Sequence, residues 1–201
     1  MGQRSQIYLK YPIGDKGRYG LIANYYQWNF GERMISRAAS AIRYLEYIKN
    51  NFPDSYFCFE NYVEKMRRYL DVNFDMEDIC ISQDIVKEWA DFDFGDFADY
   101  VFRKQDNNDG CLFLELVNNG EGQWEIHYCF TTCDHKILDA HQYMEWESTM
   151  MVDNWRNLLP SDAVKICDDN MKFIMSNAKL MTNDELENMM EFPYDNIPKP
   201  F

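Results

Sequence analysis

An α+β fold, a small antiparallel sheet packed with several helices, is predicted by three features of this 201-residue chain. Two strand-like segments near its start are separated by a Gly/Pro turn. A second pair of strand patterns, residues 111–117 and 123–131, flanks an Asn/Gly loop. Between and after these pairs, apolar residues recur at three-and-four spacing.

Residues 6–11 alternate polar and apolar and read as a strand. Pro12 to Gly17 is a turn, and residues 20–30, rich in β-branched and aromatic side chains, form the hairpin partner. Gly31 opens a helix whose core stripe is Met34, Ile35, Ala38, Ile42, Leu45 and Ile48, with Arg33, Arg37 and Arg43 pointing elsewhere. Asn50-Asn51-Phe52-Pro53 stops it. A second helix over 55–70 has Phe59, Tyr62, Val63, Met66, Tyr69 and Leu70 on its core face. Ser82 is placed to cap a short helix ending at Asp91. Residues 91–100 nearly alternate acid and aromatic and read as a turn followed by a short helix. After the turn at 106–110 comes the second hairpin, and helical signals dominate from Ile137. Ser161 begins a helix with Val164, Cys167, Met171, Ile174 and Ala178 on one face. Thr182 and Glu185 form a capping box for a last helix, and residues 193–201 read as an irregular tail. The whole is read as one globular domain. Its first 70 residues are a mildly basic hairpin with two helices, and residues 71–201 are an acidic α+β part.

Apolar residues make up 46% of the chain and aromatics 16%, enough for a real core and against disorder. No run approaches the roughly 18 apolar residues of a membrane span. No apolar stretch follows Met1, and Gly2 lacks the Ser or Thr that a myristoylation pattern requires, so the cytoplasm is the expected compartment. The six cysteines are scattered, as expected of reduced, mostly buried thiols.

Charge is the most informative feature. The net charge is −14, with eight Lys/Arg and three Asp/Glu in residues 1–50 but twelve and thirty-one in residues 51–201. Residues 71–109 alone hold twelve acids and three bases. Such a field repels nucleic acid and attracts basic surfaces, although net charge also serves solubility alone. Arg4, Lys10, Arg18, Arg33, Arg37 and Arg43 are expected to pair with the acidic remainder. Interleaved with Tyr25, Tyr26 and Trp28, they also suit a nucleotide pocket.

No catalytic signature is present: there is no Walker loop, dinucleotide fingerprint, nucleophile elbow or kinase set. His127, Cys129, Cys133 and His135 are ligand types suited to zinc, but their spacing matches no knuckle pattern, and ordinary strand-edge roles compete with a metal site. The turn at 106–110 resembles a calcium loop, yet Leu116 stands where its glutamate would fall. No cofactor is expected.

The segment Gly2-Gln3-Arg4-Ser5-Gln6-Ile7-Tyr8, with Leu21-Ile22-Ala23-Asn24-Tyr25-Tyr26-Gln27-Trp28-Asn29-Phe30-Gly31-Glu32-Arg33-Met34-Ile35-Ser36-Arg37-Ala38, resembles a group of proteins carried by phages and mobile elements of low-GC Gram-positive bacteria. The resemblance covers the first quarter of the chain. It extends loosely to Tyr143-Met144-Glu145-Trp146 and Leu180-Met181-Thr182, and it brings no catalytic residues with it. A small acidic phage protein without catalytic motifs fits an inhibitor of host defence, an anti-CRISPR protein above all. Such a globule would occupy the basic channel of a Cas nuclease or similar host nucleic-acid-binding protein, with carboxylates standing for phosphates. The expected partner-binding carboxylates are Asp91, Asp93, Asp96 and Asp99, with Asp75, Glu77 and Asp78. Direct nucleic-acid or membrane binding is not expected, and a homodimer is allowed. The rival readings are a nucleotide-sequestering protein, a zinc-dependent protein using residues 127–141, and a self-associating virion component.

Overall fold

Strands β1 (Arg4–Ile13) and β2 (Arg18–Gln27) form the first hairpin in a computed structural model that describes residues 4–14, 17–51, 62, 65, 66, 70, 82–92, 94–119, 123–150, 153–195 and 197. Strands β4 (Cys111–Asn118) and β5 (Trp124–Thr131) form the second hairpin. The remaining strands are short: β3 (Ser82–Asp84), β6 (Ile137–Leu138) and β7 (Lys179–Leu180). Sheet order is β3-β2-β1-β4-β5-β6, and β7 pairs with β5 beyond the end of β6.

The α+β class holds, but the sheet is mixed rather than antiparallel. The two hairpins meet through β1 and β4, which run parallel with Tyr8 opposite Phe113 and Lys10 opposite Glu115. The reason is topological. Each hairpin contributes its first strand to the junction, and the long connection between them lets the chain return in the same direction. The pairing of β7 with β5 is also parallel.

Helices cover both faces of the sheet. On one face Ile7, Leu9, Ile22, Tyr26, Leu112, Leu114, Tyr128 and Phe130 pack under α1 (Glu32–Asn51), α3 (Ala140–Met150), the short α4 (Trp155–Leu158) and α5 (Ser161–Asn177). The other face presents Tyr8, Leu21, Ala23, Cys111, Phe113 and Cys129. It is covered by α2 (Ile85–Phe92), a π-helical turn (Asp99–Arg103) and α6 (Asn183–Met190). Nine of the ten residues of β1 are therefore buried, and its polar members turn inward with partners. Alternation there separates two buried faces, not a dry face from a wet one.

The α1 stripe is buried as expected, and Glu32 and Lys49 sit at the helix ends their charges favour. Arg37 departs from expectation, being fully buried. Its Nε donates to Asn29 Oδ1 at 2.8 Å and its Nη1 to the Leu70 carbonyl, while the guanidinium lies 4.7 Å from the Tyr26 ring centre. The Tyr26 hydroxyl donates to the same carbonyl at 2.9 Å. Tyr26, Asn29 and Arg37, all in the Leu21–Ala38 segment, thus form a polar clasp that ties β2 and α1 to Leu70.

Other differences are local. Asp84, not Ser82, caps α2, its carboxylate accepting from the Lys87 amide at 3.0 Å, because Ser82 is spent in the sheet opposite Tyr26. Ile137 and Leu138 form β6 before α3 begins. The helix proposed over 55–70 lies largely outside the described residues, of which Tyr62, Lys65, Met66 and Leu70 are helical and Met66 and Leu70 buried. The capping box at Thr182 and Glu185 is present. No helix among the described residues is long and apolar enough to cross a membrane.

Candidate partner-binding surface

The acid–aromatic stretch folds into two opposed sets of rings. Ile85, Val86 and Trp89 of α2 face the core, leaving Lys87, Asp91 and Phe92 outward. Trp89 Nε1 donates to the Gly95 carbonyl at 3.0 Å, and its ring meets Phe97 edge-on at 5.1 Å. Gly95 adopts φ 83°, a conformation glycine takes without strain, so the chain reverses there and Phe97 returns to the core. Phe92 and Phe94 are left outside, 67% and 43% exposed. Phe94 stacks on Tyr100 with centroids 4.3 Å apart and planes at 8°, and Phe92 lies 5.7 Å from Phe94.

Carboxylates neighbour these rings in the chain, and Glu88 acts on the Tyr100 hydroxyl. Asp91 and Asp96 are exposed, and Asp96 Oδ1 also accepts from the Asp99 amide at 2.8 Å. Asp99 is half-buried and paired with Lys104 at 2.6 Å, so its charge is partly neutralised. The i→i+5 bond from the Lys104 amide to the Asp99 carbonyl marks the π turn, a device often found at functional positions. Asp75, Glu77, Asp78 and Asp93 lie outside the described residues. Glu88 was not among the sequence candidates, although it stands one helical turn from Asp91 and Phe92. Burial first, and then Glu88, push the Tyr100 hydroxyl above its ordinary value.

The basic N-terminal part is engaged within the fold. Arg4 pairs with Asp106, Lys10 with Glu115 at 2.8 Å, and Arg18 with Asp195 at 3.2 Å. Arg33 donates to the Trp28 carbonyl, and Arg43 donates to Asn170 Oδ1 while lying over Phe173. Among the described residues, acidic partners stand beside Arg4, Lys10 and Arg18, while Arg33, Arg37 and Arg43 donate to neutral acceptors. Along α1, Ser40, Arg43, Tyr44 and Tyr47 face Lys65 across a cleft of about 600 Å³.

The four zinc candidates are not brought together. His127 and Cys129 share a sheet face, but Cys129 is buried against Met181 and its thiol is pushed well up by burial. His127 sits between Glu125 and Glu185, its Nε2 3.1 Å from the first and its Nδ1 3.2 Å from the second. Cys133 is exposed in the following turn, and His135 packs near Phe113. Among the described residues, no group of three or more His, Cys, Asp or Glu side chains is arranged to hold a metal ion.

A second acidic group is internal. Glu147 is 1% exposed, and burial, then Asp109, push its carboxyl up to about 8. Asp109 is itself pushed up to about 6 by burial, against a hydrogen bond from the Arg4 amide.

Comparison with protein-family models, with curated proteins and with solved structures finds no match.

Proposed function

We propose that the protein acts by binding, as a phage-encoded inhibitor of bacterial defence whose acidic aromatic face docks on the nucleic-acid-binding surface of a host protein, a CRISPR nuclease being the particular target. One observation carries this reading: the Phe92 and Phe94 rings stand exposed, Phe94 stacked on the half-buried Tyr100, in a stretch that also carries Glu88, Asp91, Asp96 and Asp99, in a chain of net charge −14. Large exposed aromatics flanked by polar groups are the anatomy of an interface centre and its rim. The carboxylates would meet the lysines and arginines that otherwise hold phosphates, and the long-range field would speed encounter.

The test is an interference assay in a host with an active CRISPR nuclease, challenged with a plasmid that carries the target. Coexpressed wild-type protein is expected to restore transformation. The Asp91→Asn/Asp96→Asn/Phe92→Ser/Phe94→Ser form is expected not to. Full restoration by that form would remove this face as the binding surface.

The α1 cleft favours a second reading, sequestration of a signalling nucleotide. Arg43 and Lys65 would meet phosphates, and the Tyr44 and Tyr47 rings, 6.4 Å apart at 15°, would meet a base. A nucleotide that raises the melting temperature of the wild type but not of Arg43→Ala would favour it.

A further inference from the structure

We infer that the group this face accepts from its partner is an arginine side chain, recognised by ring stacking together with a carboxylate. The inference rests on the reading of the Phe92–Tyr100 surface as the docking face, and it specifies what docks there. Stacking of Phe94 on Tyr100 fixes a flat aromatic pair, and Phe92, 67% exposed, adds a ring turned to solvent beside Asp91 in the chain. A planar guanidinium covers such a ring and still directs its forked N–H groups at a carboxylate. A lysine ammonium is compact and strongly hydrated, so at an exposed ring it gains less.

The same chain shows both behaviours internally. Arg156 lies 4.4 Å from the buried Trp155 ring centre while Nη1 and Nη2, partly exposed, fork onto Asp168 at 2.7 and 2.6 Å. Arg37 and Arg43 also lie over rings, those of Tyr26 and Phe173. Lys10 reaches Phe192 at 4.1 Å, but there its Nζ is buried and paired with Glu115. Of these, the arrangement of Arg156, Trp155 and Asp168, in which a partly exposed guanidinium covers a ring and forks onto a carboxylate, is the one that an aromatic and acidic surface can reproduce with a partner's arginine.

The experiment measures binding of fluorescent nona-arginine and nona-lysine peptides, matched in length and charge, by anisotropy at low and moderate salt. The proteins are the wild type, Phe92→Leu/Phe94→Leu, which keeps apolar bulk but removes the ring faces, and Asp91→Asn/Asp96→Asn. Thermal unfolding confirms that each folds. Wild type should bind the arginine peptide at least about fivefold tighter than the lysine peptide. The leucine form should lose that preference with lysine binding unchanged, and the asparagine form should weaken both. Equal wild-type affinities, or a preference that survives in the leucine form, would overturn the arginine inference and leave the docking face standing. If neither substituted form differs from wild type with either peptide, the docking face itself is overturned.

Discussion

Lys10 Nζ lies 2.8 Å from Glu115 Oε1 across the parallel pairing of β1 with β4, and both side chains are nearly closed to solvent. Phe192 and Tyr19 flank the ammonium, 4.1 and 4.8 Å from their ring centres. Removing one partner leaves the other charge buried and alone. Glu115→Leu or Lys10→Met should each cost about 3–5 kcal/mol, while the double substitution should recover most of that loss. Denaturant unfolding of the four proteins measures the coupling. Additive losses would show that the pair is not a unit.

Stability should fall as pH rises through the neutral range. Glu147 titrates at about 8 in the folded chain and near its ordinary carboxyl value when unfolded. Folding therefore holds a proton that the unfolded chain releases. The stability this supplies is complete below the unfolded value and is lost as pH rises through about 8. Asp109, at about 6, acts with the same sign over a lower window. Asp168, held low by its hydrogen bonds to Arg156, titrates beneath both windows. Between pH 5 and 8.5 the wild type should lose on the order of a few kcal/mol, and Glu147→Gln should flatten most of the slope. A wild-type profile that is level over this range would contradict the assignment.

Arg37→Lys should behave as a severe substitution. An ammonium cannot serve Asn29 Oδ1, the Leu70 carbonyl and the Tyr26 ring together as the guanidinium does. A loss of about 2–4 kcal/mol is expected by denaturant unfolding. An unchanged midpoint would show that the clasp is dispensable.

Gly110→Ala should be worse still. Gly110 has φ 78°, and a Cβ there would stand 2.0 Å from the Thr131 carbonyl oxygen at the start of the β4–β5 pairing. More than about 3 kcal/mol should be lost. Soluble expression and thermal unfolding of the variant check this.

The legible parts of the fold were those governed by local pattern. The α1 stripe, the capping box at Thr182 and Glu185, and both hairpins follow from periodicity and turn chemistry. Arg37 was misplaced because its charge outweighed its position: its burial depends on Asn29 and on Leu70, thirty-three residues away. The parallel junction of β1 and β4 was hidden for the same reason, since register between distant strands leaves no local mark. At the candidate surface, alternating acids and aromatics pointed to Asp91, Asp96 and Asp99. They did not reveal that Trp89 and Phe97 turn inward while Phe92 and Phe94 turn outward, a partition made by the reversal at Gly95. Nor did they show that Lys104 covers Asp99.

The most direct test of the central claim is comparative capture from a Gram-positive host lysate, at low and then moderate salt, by the wild type and by the Asp91→Asn/Asp96→Asn/Phe92→Ser/Phe94→Ser form. The account predicts a nucleic-acid-binding protein held by the wild type, shed as salt rises, absent from the substituted form, and unable to keep its nucleic acid while the wild type is bound. The same proteins retained by both forms, or a captured partner that still holds its nucleic acid, would contradict it.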